Sequence, residues 1–115
     1  MPHIDALLPL YPDAADRQAL LEHALAHVRA DLTAMRQAID TDDYAAARQQ
    51  VHRAKGTLSF LGHDDSAARY FDLLTSALRM QDSAAIESAR VPVEMALLDI
   101  EAAMLKRLEN LEPFS

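Results

Sequence analysis

The chain has 115 residues, half of them hydrophobic but only 5% aromatic, with two glycines, five prolines and no cysteine. That is enough for one domain with one core, rich in helix formers, and it excludes an all-β fold, disulfide scaffolds, thiolate metal sites and cysteine nucleophiles. A net charge of −7 argues against general nucleic-acid binding, and with no apolar run near ~18 residues and no basic leader a soluble cytoplasmic protein is expected.

A short apolar lead from Ala6 to Pro12 comes first, and Pro9 and Pro12 keep it from merging with the first long helix. Asp13 with Asp16 resembles a capping box in which Asp replaces Glu. Leu21, Leu25, Val28, Leu32, Met35 and Ile39 then fall at alternating steps of four and three, which predicts a helix from about Ala14 to Ile39. Asp40 to Asp43 stops it, and Thr41 is the expected N-cap of a second helix. That helix carries Tyr44, Ala47, Val51, Ala54, Leu58 and Leu61 on one stripe, with Gly62 as the expected left-handed C-cap. Asp64 or Asp65 would cap a third helix with Ala67, Phe71, Leu74 and Leu78 inward, and Gln81-Asp82-Ser83 is the next break.

The last stretch runs from Ser83 to about Leu108 and meets Pro92, which either kinks one long helix or opens a new one. Val93, Leu97, Ile100, Met104 and Leu108 restore the stripe beyond it, and the residues from Glu109 on are expected to fray. Met35, Met95 and Met104 read as core or near-core filler rather than a cofactor box. The expected fold is all-α, a single domain over residues 1–115. It is an antiparallel up-down-up-down four-helix bundle with a short N-terminal lead and a Pro-interrupted last helix. Alanine-rich stripes that close within one chain make a monomer the expectation.

Chemistry concentrates in Val51-His52-Arg53-Ala54-Lys55-Gly56-Thr57-Leu58-Ser59-Phe60-Leu61-Gly62. At about 100° per residue, His52 lies roughly 130° from the centre of the buried stripe, on the solvent side. Arg48, Lys55 and Ser59 share its flank, Gly56 points outward one turn on, and Phe60 lies almost opposite the stripe, where it is either a docking contact or packed under the N-terminal lead. A glycine inside a solvent-facing helix costs roughly 1 kcal/mol relative to alanine. This chain uses alanine freely, so Gly56 reads either as room for something to approach the backbone or as a close helix–helix contact. An exposed neutral imidazole is nucleophilic near neutral pH, and Lys55 and Arg48 beside it favour a doubly charged phosphoryl adduct.

His52-x-x-Lys55-Gly56, followed by the small hydroxyl residue Thr57 and by Gly62 ten residues after the histidine, resembles the signature of histidine-containing phosphotransfer (HPt) domains. Ala54 departs from the larger aliphatic usual in that family, and His63 from the small residue common after the glycine. The resemblance implies that His52 is the phosphoacceptor, taking a phosphoryl group from a receiver-domain aspartate and passing it to another receiver. Lys55 and Gly56 would serve the transfer, Arg48, Ser59 and Gly62 would support it, and Arg53 and Phe60 would touch the partner. Response-regulator receivers, and a hybrid sensor kinase beside them, are the partners implied, with Mg²⁺ brought by the receiver and no cofactor bound by this chain. Without a Gly-rich phosphate loop or a kinase catalytic set, the chain is expected to be a relay intermediate and not an enzyme. The alternative is a helical interaction or dimerisation module that keeps the shape without phosphorylation. A rival constellation, His23 and His27 at i, i+4 with Asp31 a turn further, could bind a divalent cation. It has no clear further ligand and no outer groups to orient the rings, and no metal is expected.

Overall fold

A computed structural model of the protein describes residues 8–61 and 65–111. A 3-10 turn, Leu8–Leu10, precedes four α-helices: α1 (Ala14–Asp40), α2 (Tyr44–Leu61), α3 (Asp65–Met80) and α4 (Ser83–Leu111). No strand occurs among the described residues. Each helix packs against its neighbour in sequence, and α4 closes the ring against α1, which gives the up-down-up-down four-helix bundle. No helix among the described residues is long and apolar enough to cross a membrane.

The buried stripes are those the spacing predicts. All six α1 positions are buried, Ala47, Val51, Ala54, Leu58 and Leu61 line the core from α2, and Tyr44 packs half-buried at its edge. Phe71, Leu74 and Leu78 fill the core from α3, and Val93, Leu97, Ile100 and Met104 from α4. Each such Leu, Val or Phe contributes on the order of 1.5–3 kcal/mol by leaving water. Ala47 and Ala54 are fully buried on α2, where small side chains let the neighbouring helices approach. Met35 and Met104 belong to this core. Met95 does not: it is 58% exposed, because its position falls on the outer face of α4, away from Val93 and Leu97.

Asp13 caps α1, its side chain accepting from the amide of Ala15 at 2.9 Å, but among the described residues Asp16 makes no bond back to it, so the expected box is not formed. The second cap differs from expectation. Thr41 closes α1 instead, its Oγ1 donating to the carbonyl of Gln37 at 2.8 Å, and Asp43 caps α2 by accepting from the amide of Ala46 at 3.2 Å. The same device recurs after α3, where Asp82 accepts from the amide of Ala85 at 3.2 Å. In both turns the preceding residue adopts a left-handed backbone, Asp42 with φ 57° and Gln81 with φ 53°. Paired amide bonds then close the helix ends: Asp43 to Ala38 and Asp42 to Ile39, Asp82 to Ala77 and Gln81 to Leu78. These are Schellman closures built without glycine. The expected caps at Gly62 and at Asp64 or Asp65 lie outside the described residues and side chains.

Pro92 does not divide the last helix; α4 runs unbroken through it and on to Leu111, three residues past the expected end. Proline removes one amide donor, but the buried stripe keeps its register on both sides, from Ile86 through Val93 to Met104. An ion pair also straddles the position, since Arg90 Nε donates to Glu94 at 2.7 Å while Arg90 Nη1 reaches Asp40 on α1 at 2.8 Å. Burial works against the Arg90 charge, and the carboxylates of Glu94 and Asp40 outweigh it, so its pKa lies above the ordinary arginine value. Arg36 to Glu94 at 3.0 Å and Arg29 to Glu101 at 2.9 Å continue the α1–α4 seam.

Candidate functional site

Helix α2 carries the candidate residues on the side away from its buried stripe. His52 is exposed and lines the groove on the α3 side of α2; a second groove lies on the α1 side. The groove toward α3, of about 800 Å³, is lined by Arg48, His52, Arg53, Lys55, Asp72 and Arg79 together with small and polar side chains. The groove toward α1, of about 450 Å³, is lined by the apolar side chains of Leu20, Ala24, Phe60 and Leu61 beside Gly56, together with the exposed His23 and His27. Arg53 lines both. The exposed imidazole is open to a partner that covers the α3-side groove.

The α3 groove is cationic. Arg48, Arg53, Lys55 and Arg79 line it against one carboxylate, Asp72, on a chain whose net charge is −7. Lys55 is the tethered cation: its Nζ donates to Asp72 Oδ1 at 2.7 Å across the α2–α3 boundary. Among the described residues, no ion pair or hydrogen bond engages the guanidinium of Arg48, Arg53 or Arg79. Thr75, lower on α3, turns its hydroxyl back to the carbonyl of Phe71 at 3.0 Å.

Gly56 is exposed, has no positive φ, and a Cβ built on it would meet nothing within 4 Å. The reading of Gly56 as a close helix–helix contact is therefore excluded. Beneath it the helix is anchored: Thr57 is buried and its Oγ1 donates to Asp31 Oδ2 on α1 at 2.7 Å. Asp31 is itself 4% exposed, so a polar pair ties α1 to α2 one residue from the open glycine. His27 Nε2 stands 3.6 Å from the same oxygen. The spacing that suggested a His23, His27 and Asp31 cluster thus describes two exposed imidazoles above a carboxyl group turned inward to Thr57. Among the described residues, no group of three or more His, Asp or Glu side chains is placed to hold a metal ion.

The structure brings His52, Arg48, Lys55 and Arg53 to one groove and Gly56 and Phe60 to the other. Phe60 is 59% exposed there, an apolar ring held at the surface. Ser59 is exposed and lines neither groove, and Gly62 falls outside the described residues. Three contributors were missed from the sequence: Asp72, Arg79 and the inward role of Asp31. A register signal for the first two exists. Residues 55 and 72, and residues 48 and 79, stand equally far from a point between 63 and 64. An antiparallel helix pair turning there sets those positions opposite one another. Asp31 had no such signal, because a lone carboxylate inside a stripe gives no hint of its hydroxyl partner.

No protein-family model, curated protein or solved structure matches this chain.

Proposed function

We propose that this chain is an HPt-like phosphorelay intermediate, with His52 the residue that carries the phosphoryl group between receiver domains. The reading rests on one observation above the others: an exposed imidazole stands beside four cationic side chains and next to a glycine whose open space no packing inside the chain requires. In the step proposed, the lone-pair nitrogen of the neutral His52 ring attacks the phosphorus of a receiver's aspartyl phosphate. The P–N bond forms, the P–O bond breaks with its electron pair returning to the receiver carboxylate, and the remaining imidazole N–H proton passes to solvent. Such transfer depends on in-line approach and charge neutralisation more than on covalent machinery. Lys55, Arg48 and Arg79 would meet the phosphoryl oxygens, and the bare backbone at Gly56 would let the receiver's loops come close. The receiver would supply Mg²⁺. Arg53 and the exposed ring of Phe60 would touch the partner on the α1 side.

Incubation with a panel of radiolabelled phospho-receivers from the same genome tests this. Label on this chain that survives base, is lost in acid and is absent from His52→Gln is the expected result. Failure of every receiver to transfer, with the wild type correctly folded, would reject the relay in favour of a non-phosphorylated interaction module.

A further inference from the structure

Among the described residues, the Lys55–Asp72 pair is the one anion–cation contact of the cationic groove, and it engages the lysine nearest His52 in sequence. The two side chains are 38% and 64% exposed, so the contact is a weak, exchangeable surface pair and not a structural lock. Asp72 also places a negative charge in the same groove that His52 lines, so a dianionic phosphoryl group on His52 would share that groove with it. From these facts we propose that Asp72 is a positioning residue that competes with the phosphoryl group for Lys55, and so sets how long phosphohistidine persists and how readily it gives the group up. The inference rests on the phosphorelay reading and deepens it.

The consequence is a two-position ammonium. With His52 unmodified, Lys55 is held by Asp72 at 2.7 Å and kept along the groove wall. Once His52 carries the phosphoryl group, Lys55 is contested by two anions, and Asp72 repels the new one. A site built only to store phosphate would leave Asp72 out. A relay that must also release its cargo gains from it, because the phosphoryl adduct is held less tightly than the surrounding cations alone would hold it.

Chemical phosphorylation by potassium phosphoramidate tests this without any receiver. That reagent transfers its phosphoryl group to imidazole; the P–N bond to the amine breaks, a P–N bond to the ring forms, and ammonia leaves with the ring proton. The protein is treated as wild type, Asp72→Asn, Asp72→Glu, Lys55→Ala and the Asp72→Asn/Lys55→Ala double variant. The His52 phosphorus resonance is identified by its absence from His52→Gln. Asp72→Asn is expected to lengthen the lifetime of the His52 adduct about threefold to fivefold, the range that an exposed pair supports, and to move its ³¹P resonance. Asp72→Glu should restore wild-type behaviour, and in the Lys55→Ala background the Asp72→Asn effect should shrink. An unchanged lifetime and resonance in Asp72→Asn, or an equal effect with and without Lys55, would overturn the proposal. Adduct formation with phosphoramidate but no transfer from any phospho-receiver would reject the relay reading alone, since the Asp72 comparison is read on the chemically formed adduct.

Discussion

At the scale of single residues, the site combines a position that packing leaves free with one that packing demands. Gly56 is free: nothing lies within 4 Å of the Cβ it lacks, and its backbone is helical. Gly56→Ala should therefore raise stability by about 0.5–1 kcal/mol through helix propensity alone, visible as a higher Tm. Gly56→Leu should leave the bundle folded by circular dichroism but slow phosphoryl transfer strongly, because the added side chain projects beside His52. Equal transfer rates in Gly56→Leu and wild type would remove the access argument. Thr57, the next residue, is the opposite case. It is 7% exposed and its hydroxyl satisfies the buried Asp31. Thr57→Val keeps the shape but takes from that carboxyl group its hydroxyl donor, with His27 Nε2 left 3.6 Å away, which should cost about 1–3 kcal/mol in a urea melt. His52→Gln, at an exposed position, should melt like the wild type while losing all labelling.

At the scale of elements, the helices were legible because a period near 3.6 leaves a stripe that burial then uses. Leu21 to Ile39 on α1 and Val93 to Met104 on α4 are buried at the positions their spacing predicts. The helix ends were less legible, and the reason is chemical. A left-handed terminal residue is usually sought as glycine, whereas here Asp42 and Gln81 adopt it, each followed by an aspartate that caps the next helix. The bonding at these turns comes from backbone amides, which carry no side-chain signature. Gln81 gives this a test. An aspartate tolerates the left-handed region through local hydrogen bonding, but a glutamine has no such relief. Gln81→Gly should thus stabilise the protein by about 1 kcal/mol, and Asp42→Gly by less. A fall in Tm for Gln81→Gly would mean that the side chain does something the backbone angle does not reveal.

At the scale of the whole molecule, charge is segregated. The chain is acidic, with a net charge of −7, yet the groove beside His52 is lined by Arg48, Arg53, Lys55 and Arg79 against Asp72 alone. Three of those five charged residues were legible in advance: Arg48, Arg53 and Lys55 sit within one turn or so of His52 on the same helix, where angular arithmetic suffices. Arg79 and Asp72 come from α3, and their meeting with α2 depends on where the chain turns between the helices, a long-range fact that periodicity alone does not carry. If the groove acts as a local field on an acidic partner, its strength should depend on where a charge sits and not on the total. Arg79→Glu and Lys106→Glu each lower the net charge by two units, but Lys106 is exposed on α4 and lines neither groove. Labelling by a phospho-receiver at low salt should fall about threefold to tenfold in Arg79→Glu and stay near wild type in Lys106→Glu. The Arg79→Glu deficit should narrow as ionic strength rises toward about 1 M, where the screening length is near 3 Å. Equal losses in the two variants would instead assign the effect to net charge, and no loss in either would mean that the receiver approaches without using this groove.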